Sequence, residues 1–286
     1  MARTRAERLV RTLLERAGIA IDGSARHDMR VHNPALYPRI VRHGSLGLGE
    51  AYMDGWWDAE AVDETIARIL AERAQQQLSP GPRERVHTTI AYLWNLQGRM
   101  RARRAVAAHY DTGNELFRRM LDPLMNYSCA YWANADDLAQ AQRHKLDLVC
   151  RKLELRPGLK VVDIGCGWGG FARYAAEHYG VEVTGITLSR EQANYARDLC
   201  RGLPVTIELR DYRDLGNQGF AMPADRIVSI GMFEHVGVRN YRTFMRIAAR
   251  CLQPDGLMLL HTIGSLESSR GNDPWLDKYI FPDGQL

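Results

Sequence analysis

Val161-Val162-Asp163-Ile164-Gly165-Cys166-Gly167-Trp168-Gly169-Gly170 is the stretch whose reading decides the fold. A short apolar run, an acid and then glycines at every second position before a helical stretch read as the first strand and first turn of a nucleotide-binding α/β unit. Glycine lets the main chain turn sharply and lets a ligand approach it, while the N-terminus of the following helix offers unpaired N–H groups. The turn is read as a cofactor cradle.

Downstream of the turn the pattern is regular. Strands at 181–187, 205–210, 226–232 and 257–262 are interleaved with helices at 171–179, 190–201 and 240–252. Such βαβ alternation predicts an α/β fold with a parallel sheet. The letters Gly165-x-Gly167-x-x-Gly170 also fit the dinucleotide fingerprint, which expects an acid on the ribose about 20 residues on. Here the second strand ends Gly185-Ile186-Thr187-Leu188-Ser189, and no acid stands there. An acid two residues before the first glycine, as Asp163 is, is instead the habit of S-adenosylmethionine methyltransferases. Thr187 and Gln192 are then expected to replace the ribose-binding acid. Ser189 with Gln192 three residues later is also a capping-box signature, which gives Gln192 a structural alternative.

At 286 residues, with 45% hydrophobic and 25% charged side chains, the chain has room for two unequal domains. The net charge of +4 and pI near 8.8 are mild, but the excess is uneven. Arg3, Arg5, Arg8, Arg11 and Arg16 crowd the start, and Arg99, Arg101, Arg103 and Arg104 form a second cluster. Such clusters suit an anionic surface, membrane or nucleic acid, and equally a solvated helix face. Five scattered cysteines, Cys129, Cys150, Cys166, Cys200 and Cys251, read as thiols of a reducing cytoplasm, with no metal-like pairing. No run of 18 apolar residues occurs, so contact with a membrane is expected from one side only.

Upstream of the turn, residues 6–17 place Leu9, Val10, Leu13 and Leu14 on one helical face, with arginines on the others. Residues 19–23 read as a strand into a turn, closed as a hairpin by Val31-His32-Asn33-Pro34. Residues 44–58 gather glycines and aromatics, with Trp56 and Trp57 read as packed core. A helix over 62–77 ends before Ser79-Pro80-Gly81-Pro82, where the domain boundary is placed. The expected organisation is a small domain at 1–80, a helical linker at 81–108 and a methyltransferase domain at 109–286. Within the last, Asn126-Tyr127-Ser128-Cys129-Ala130-Tyr131-Trp132 is an aromatic loop with a lone thiol, followed by a helix at 138–153.

Taken with Ser45-Leu46-Gly47-Leu48-Gly49-Glu50, Tyr127-Ser128-Cys129-Ala130-Tyr131-Trp132, Gly231-Met232-Phe233-Glu234-His235-Val236-Gly237 and His261-Thr262-Ile263-Gly264, the chain resembles the bacterial cyclopropane-fatty-acyl-phospholipid synthases. The resemblance implies transfer of a methylene from S-adenosylmethionine across the cis double bond of a membrane phospholipid acyl chain. It implies a class I, Rossmann-like methyltransferase sheet preceded by a small α+β domain that engages lipid, in a homodimer at the cytoplasmic face of the inner membrane. Two further strands are expected beyond the fifth, with a bicarbonate-binding tyrosine among them. Only 22 residues follow Gly264, and Tyr279 does not match that tyrosine.

Attack by an isolated alkene leaves a carbocation-like centre, so the site needs a base, tolerance of positive charge and an apolar slot. Ligands of open α/β sheets sit at the carboxyl ends of the strands, where Glu234, His235 and His261 are expected. The resemblance further implies that a bicarbonate ion takes the proton, held by Cys129, the side chains of Glu234 and His261, and the main chain at Ile263. Tyr127, Tyr131, Trp132 and Phe233 are candidates to face cationic charge, or to pack. For the cofactor, Asp163, Gly165 and Gly167 lie toward its methionine and ribose portions, with Thr187, Leu188 and Gln192 after the second strand. Asp211, Tyr212 and Arg213 follow the third, where adenine is usually held, and Tyr127 and Ser128 cover the methionine end. A nucleic-acid methyltransferase should carry a base-stacking motif such as Asn-Pro-Pro-Tyr after the fourth strand, and Gly231-Met232-Phe233-Glu234 stands there instead. No nucleic-acid partner is expected. Two readings stay beside the main one: a methyl-branched product, and a lipid-binding form without turnover.

Overall fold

A computed structural model describes residues 3–76, 114–215, 223–264 and 273–280. The chain divides into two compact units, and the described part of the first comprises 3–76 together with 273–280. The expected linker at 81–108, with its arginine cluster, lies outside the described residues.

In the first unit, Thr4 caps the helix Arg5–Arg16 by accepting from the Glu7 N–H. Val10 and Leu14 point into a core of Ile19, Met29, Leu36, Tyr37, Ala51 and Trp57. Leu9 and Leu13 do not share that fate: they remain 50% and 42% exposed, so only half of the expected apolar face is buried. The expected hairpin is not formed. Strand β1 (Arg30–Val31) pairs instead with β2 (Trp57–Asp58), and residues 19–23 contribute a single bridge between Ile21 and Met29. Between β1 and β2 runs a helix, Leu36–Met53, kinked at Gly44, whose φ of 57° suits glycine. Trp57 is buried with its indole N–H on the Leu48 carbonyl, while Trp56 lies under the Arg39 guanidinium.

The methyltransferase domain was expected to run to 286, but the short helix Pro274–Tyr279 packs in the first unit. Trp275 fills the space over Gly49, and Glu50 holds both the Lys278 ammonium and, at 3.0 Å, the Tyr279 hydroxyl. Arg39 reaches Glu50 from the other side at 3.0 Å. These partners hold the Glu50 carboxyl well below its ordinary value, at about 2.

In the second unit, β3 (Lys160–Ile164), β4 (Glu182–Thr187), β5 (Val205–Leu209), β6 (Ala224–Ile230) and β7 (Leu252–His261) form one parallel sheet in the order β5-β4-β3-β6-β7. Alternation along β3 sends Val161 to one face and Val162 and Ile164 to the other. The first face packs on helices Leu138–Lys152 and Gly170–Tyr179, the second on Tyr241–Cys251 through Phe244 and Ile247. Because β4 and β6 flank β3 on opposite sides, the chain order reverses at β3, and a crevice opens above the ends of these strands. Among the described residues the sheet has these five strands, the fold expected from the alternation.

Candidate active site

The turns after β3, β4, β5 and β6 and the loop around Tyr127 build the crevice. After β3, Gly165 takes φ 86° and Gly167 φ 54°. A Cβ on Gly165 would lie 2.6 Å from Met232 Cγ, whereas one on Gly167 would meet nothing within 4 Å. Gly165 is thus required by packing, and Gly167 leaves open space where a ligand can reach the main chain.

The open space continues into a cleft lined by Tyr127, Ser128, Asp163, Gly165, Gly167, Thr187, Leu188, Gln192, Tyr212 and Arg213. Ten of the eleven expected cofactor residues therefore border one cleft. Asp211 does not: it caps the short helix Tyr212–Asp214, accepting from the Arg213 N–H and guanidinium at 2.9 Å each. Gln192 forms only half of the expected capping box. Its N–H reaches Ser189 Oγ at 3.3 Å, but its side-chain oxygen accepts from Thr187 Oγ1 at 2.7 Å, which holds the amide at the cleft wall. Burial raises the Asp163 carboxyl to about 7, against a lowering influence from Lys145.

Three polar side chains shape the loop that carries Tyr127, Ser128 and Cys129. Asp122 accepts from the Asn126 N–H at 2.7 Å and from its amide at 3.0 Å. Gln142 donates to the Ser128 carbonyl at 2.8 Å, and Lys145 donates to Ser128 Oγ at 3.0 Å. Beneath the loop, Phe117 and Trp168 pack ring on ring, with the Trp168 indole bonded to Asn114.

The loop brings Cys129 to the far end of the sheet. Cys129 Sγ and His261 Nε2, 132 residues apart, are hydrogen-bonded at 3.3 Å. Glu234, buried in the short helix Phe233–His235 after β6, accepts from the Ile263 N–H at 2.7 Å. The four expected catalytic positions are therefore joined in two linked pairs. Among the described residues, Glu234 Oε2 and His261 Nδ1 are buried with no hydrogen-bond partner. Buried polar atoms are nearly always satisfied, so two orphans across one small site point to a missing polar occupant. Burial, with the Lys145 charge, pushes His261 below its ordinary value and keeps it neutral near pH 7.

The aromatic candidates separate. Tyr127 lines the cleft, Phe233 stacks on Tyr241 at 4.1 Å, and Tyr131 and Trp132 stay 47% and 55% exposed. His235 lines the cofactor cleft, away from the role given to Glu234. The sequence reading did not single out Lys145, Asn126, Trp168 or Met232, which also line it. For Lys145 a signal existed, since it falls on the apolar face shared by Ala141, Leu146 and Val149.

Residues 97–286 match the family model described as mycolic acid cyclopropane synthetase. The chain is 52% identical over 279 residues to the cyclopropane-fatty-acyl-phospholipid synthase of Escherichia coli strain K12, covering 98% of this chain and 72% of that protein. Among solved structures, the cyclopropane synthase MmaA2 from Mycobacterium tuberculosis is similar at 38% identity and a TM-score of 0.58, over 64% of this chain and 69% of that one. The mycolic acid cyclopropane synthase CmaA1, complexed with SAH and CTAB, is similar at 43% identity and a TM-score of 0.51, over 55% of each chain.

Proposed function

The chain belongs to the mycolic acid cyclopropane synthetase family, and from that premise we propose that Cys129, Glu234, His261 and the Ile263 main chain form its proton-removing centre. The enzyme transfers a methylene from S-adenosylmethionine to the cis double bond of unsaturated phospholipid acyl chains, forming cyclopropane fatty acids. In the first step the alkene π electrons form a bond to the sulfonium methyl carbon, and the S–CH3 electrons return to sulfur. Positive charge is left on the other former alkene carbon. A proton is then lost from the new methyl, and its C–H electrons close the ring.

The observation that carries the proposal is the pair of buried orphans, Glu234 Oε2 and His261 Nδ1. A bicarbonate ion fits them by chemistry: its hydroxyl can donate to Glu234 Oε2, and an oxygen can accept from His261 Nδ1–H, the tautomer set when Nε2 accepts from the Cys129 thiol. Bound there it would supply a proton acceptor. The Ile263 N–H is engaged by Glu234 and acts on the carboxylate, holding Oε1 so that Oε2 faces the site. Neutral His261 can donate or accept, and Cys129 fixes one of its two ring nitrogens.

Stripping bicarbonate from the buffer should lower turnover, and adding it back should restore it. Turnover indifferent to bicarbonate would make Glu234 itself the base.

Engagement of the membrane belongs to the same reading. What supports it is the helix Arg5–Arg16, on which Leu9 and Leu13 are exposed among Arg5, Arg8 and Arg16. No helix among the described residues is long and apolar enough to cross a membrane. Exposed apolar side chains flanked by arginines suit shallow attachment to an anionic surface. Cosedimentation with anionic vesicles should fall as salt rises and fall further in the Leu9→Ser, Leu13→Ser variant; binding insensitive to both would remove this helix from lipid recognition. The homodimer is part of the proposal and is tested by sedimentation.

A further inference from the structure

Helix Tyr241–Cys251 is divided lengthwise by its sequence. Phe244, Ile247, Ala248 and Cys251 are buried in the core of the second unit. On the opposite side Arg242, Arg246 and Arg250 follow one another at intervals of four, which at 3.6 residues per turn lines them up in a single exposed stripe. Met245, 43% exposed, lies along one edge of the stripe, and Val238, 48% exposed, stands in the short helix just before it.

The stripe works against the helix that carries it. No acid occurs from Gly237 to Leu252, so the arginines repel one another at i,i+4 spacing, and Arg242 sits at the positive end of the helix dipole. Elsewhere in the chain arginines on helices find partners: Arg11 pairs with Glu7, Arg119 with Glu115, Arg151 with Asp147 and Arg173 with Glu177, each at i,i+4. Among the described residues, none of Arg242, Arg246 and Arg250 forms an ion pair. Three unpaired positive charges in a row, beside two exposed apolar side chains, fit a partner that supplies both negative charge and a shallow apolar layer. A bilayer containing anionic phospholipid has both. A nucleic-acid backbone would satisfy the arginines but offers Met245 and Val238 no apolar layer to enter.

We propose that the exposed face of helix Tyr241–Cys251, through Arg242, Arg246, Arg250 and Met245, is a docking surface for anionic phospholipid carried by the catalytic unit itself. The inference rests on the phospholipid-substrate reading and goes beyond the attachment assigned to helix Arg5–Arg16, which belongs to the other unit. Its bearing on catalysis is local. Tyr241, at the head of the basic helix, stacks on Phe233 at 4.1 Å, and Phe233 adjoins Glu234 in the short helix after β6. The surface that meets lipid is thereby joined through one ring stack to the proton-removing centre.

The test measures binding of the full chain to vesicles of phosphatidylglycerol mixed with phosphatidylcholine, in the Leu9→Ser, Leu13→Ser background, which weakens the contribution of the first helix. Arg242→Gln, Arg246→Gln and Arg250→Gln together should weaken binding about 10-fold to 100-fold, the combined scale of three basic residues at an anionic surface. A control of equal charge, Arg151→Gln, Arg173→Gln and Arg201→Gln, removes arginines that already have carboxylate partners and should stay within about 2-fold. Melting temperature and affinity for S-adenosylhomocysteine should not fall in the stripe variant, because its three side chains face solvent. Equal weakening by the control would reduce the effect to net charge and overturn the proposal, as would undiminished binding by the stripe variant or no vesicle binding at all in the background. Loss of binding to duplex DNA with vesicle binding intact would assign the stripe to nucleic acid and overturn it too. Failure of the phospholipid-substrate reading is a separate result: wild-type protein that binds the vesicles and forms no cyclopropane product from them.

Discussion

The Glu234 carboxylate accepts a 2.7 Å hydrogen bond from the Ile263 main chain, tying the turn after β6 to the end of β7. This bond immobilises one carboxylate oxygen and leaves the other buried and unpartnered beside the crevice. A group held in this way is prepared for the reaction at little cost in reorganisation.

Glu234→Gln keeps the shape and an acceptor for the Ile263 N–H but removes the charge. Turnover should fall by about 100-fold to 10,000-fold, the scale of a general-base contribution. Affinity for S-adenosylhomocysteine should stay nearly unchanged, since Glu234 does not line the cofactor cleft. A variant that kept its rate would remove Glu234 from proton transfer.

The two glycines of the cradle should respond differently. Gly165→Val forces a branched side chain onto Met232 at φ 86°, so both melting temperature and cofactor affinity should drop. Gly167→Ala meets no protein atom, and at φ 54° it should cost only about 1 kcal/mol of stability. Its larger effect should appear in calorimetry with the cofactor, because the new methyl enters the ligand's space. Unchanged affinity in a folded Gly167→Ala variant would contradict the close approach.

Much of this architecture was legible in the sequence because it is local. Val161 to Gly170 carries its own turn chemistry, and each βαβ unit repeats one period. What was missed depends on distant partners. The helix Leu36–Met53 is masked in the sequence by Gly44, Gly47 and Gly49, poor helix formers; in the structure Gly44 is a kink and Gly49 is the floor under Trp275, 226 residues on. Val31 pairs with Trp57 rather than with a nearby strand. Lys145 shares the buried face of its helix with Ala141, Leu146 and Val149, a periodicity that marks its position but not its partner Ser128. The meeting of Cys129 with His261 followed from family resemblance, since nothing in their spacing announces it.

His261 offers a direct check on the electrostatics of the site. Its pKa is lowered by burial first and by Lys145 second, so its NMR titration midpoint should lie below that of an exposed histidine. Lys145→Met should raise the midpoint by removing a like charge. For such a histidine the unfolded chain binds the proton more tightly, so its contribution to stability declines as pH falls below the unfolded value. A midpoint at or above the ordinary value would show that His261 is not desolvated.

Glu50 ties the helix Leu36–Met53 to Pro274–Tyr279 through Arg39, Lys278 and Tyr279. Its folded pKa of about 2 lies below the ordinary 4.5, so the contribution is full above that ordinary value and is lost as pH falls from 4.5 toward 2. Glu50→Gln should therefore destabilise the protein to urea at pH 7, with the difference from wild type shrinking across that window. A difference independent of pH would mean that the charge contributes nothing.

The central claim, that this chain builds a ring on an acyl chain from S-adenosylmethionine and depends on the centre held by Glu234 to remove the proton, is tested most directly by mass spectrometry of product lipids. Vesicles of phospholipid with cis-unsaturated chains are incubated with the enzyme and the cofactor, and the acyl products are separated by chromatography. The account predicts chains that have gained one CH2, that run as the cyclopropane rather than as a methyl-branched isomer, and that are lost in Glu234→Gln while S-adenosylhomocysteine still binds. A methyl-branched product, or undiminished ring formation by Glu234→Gln, would contradict it.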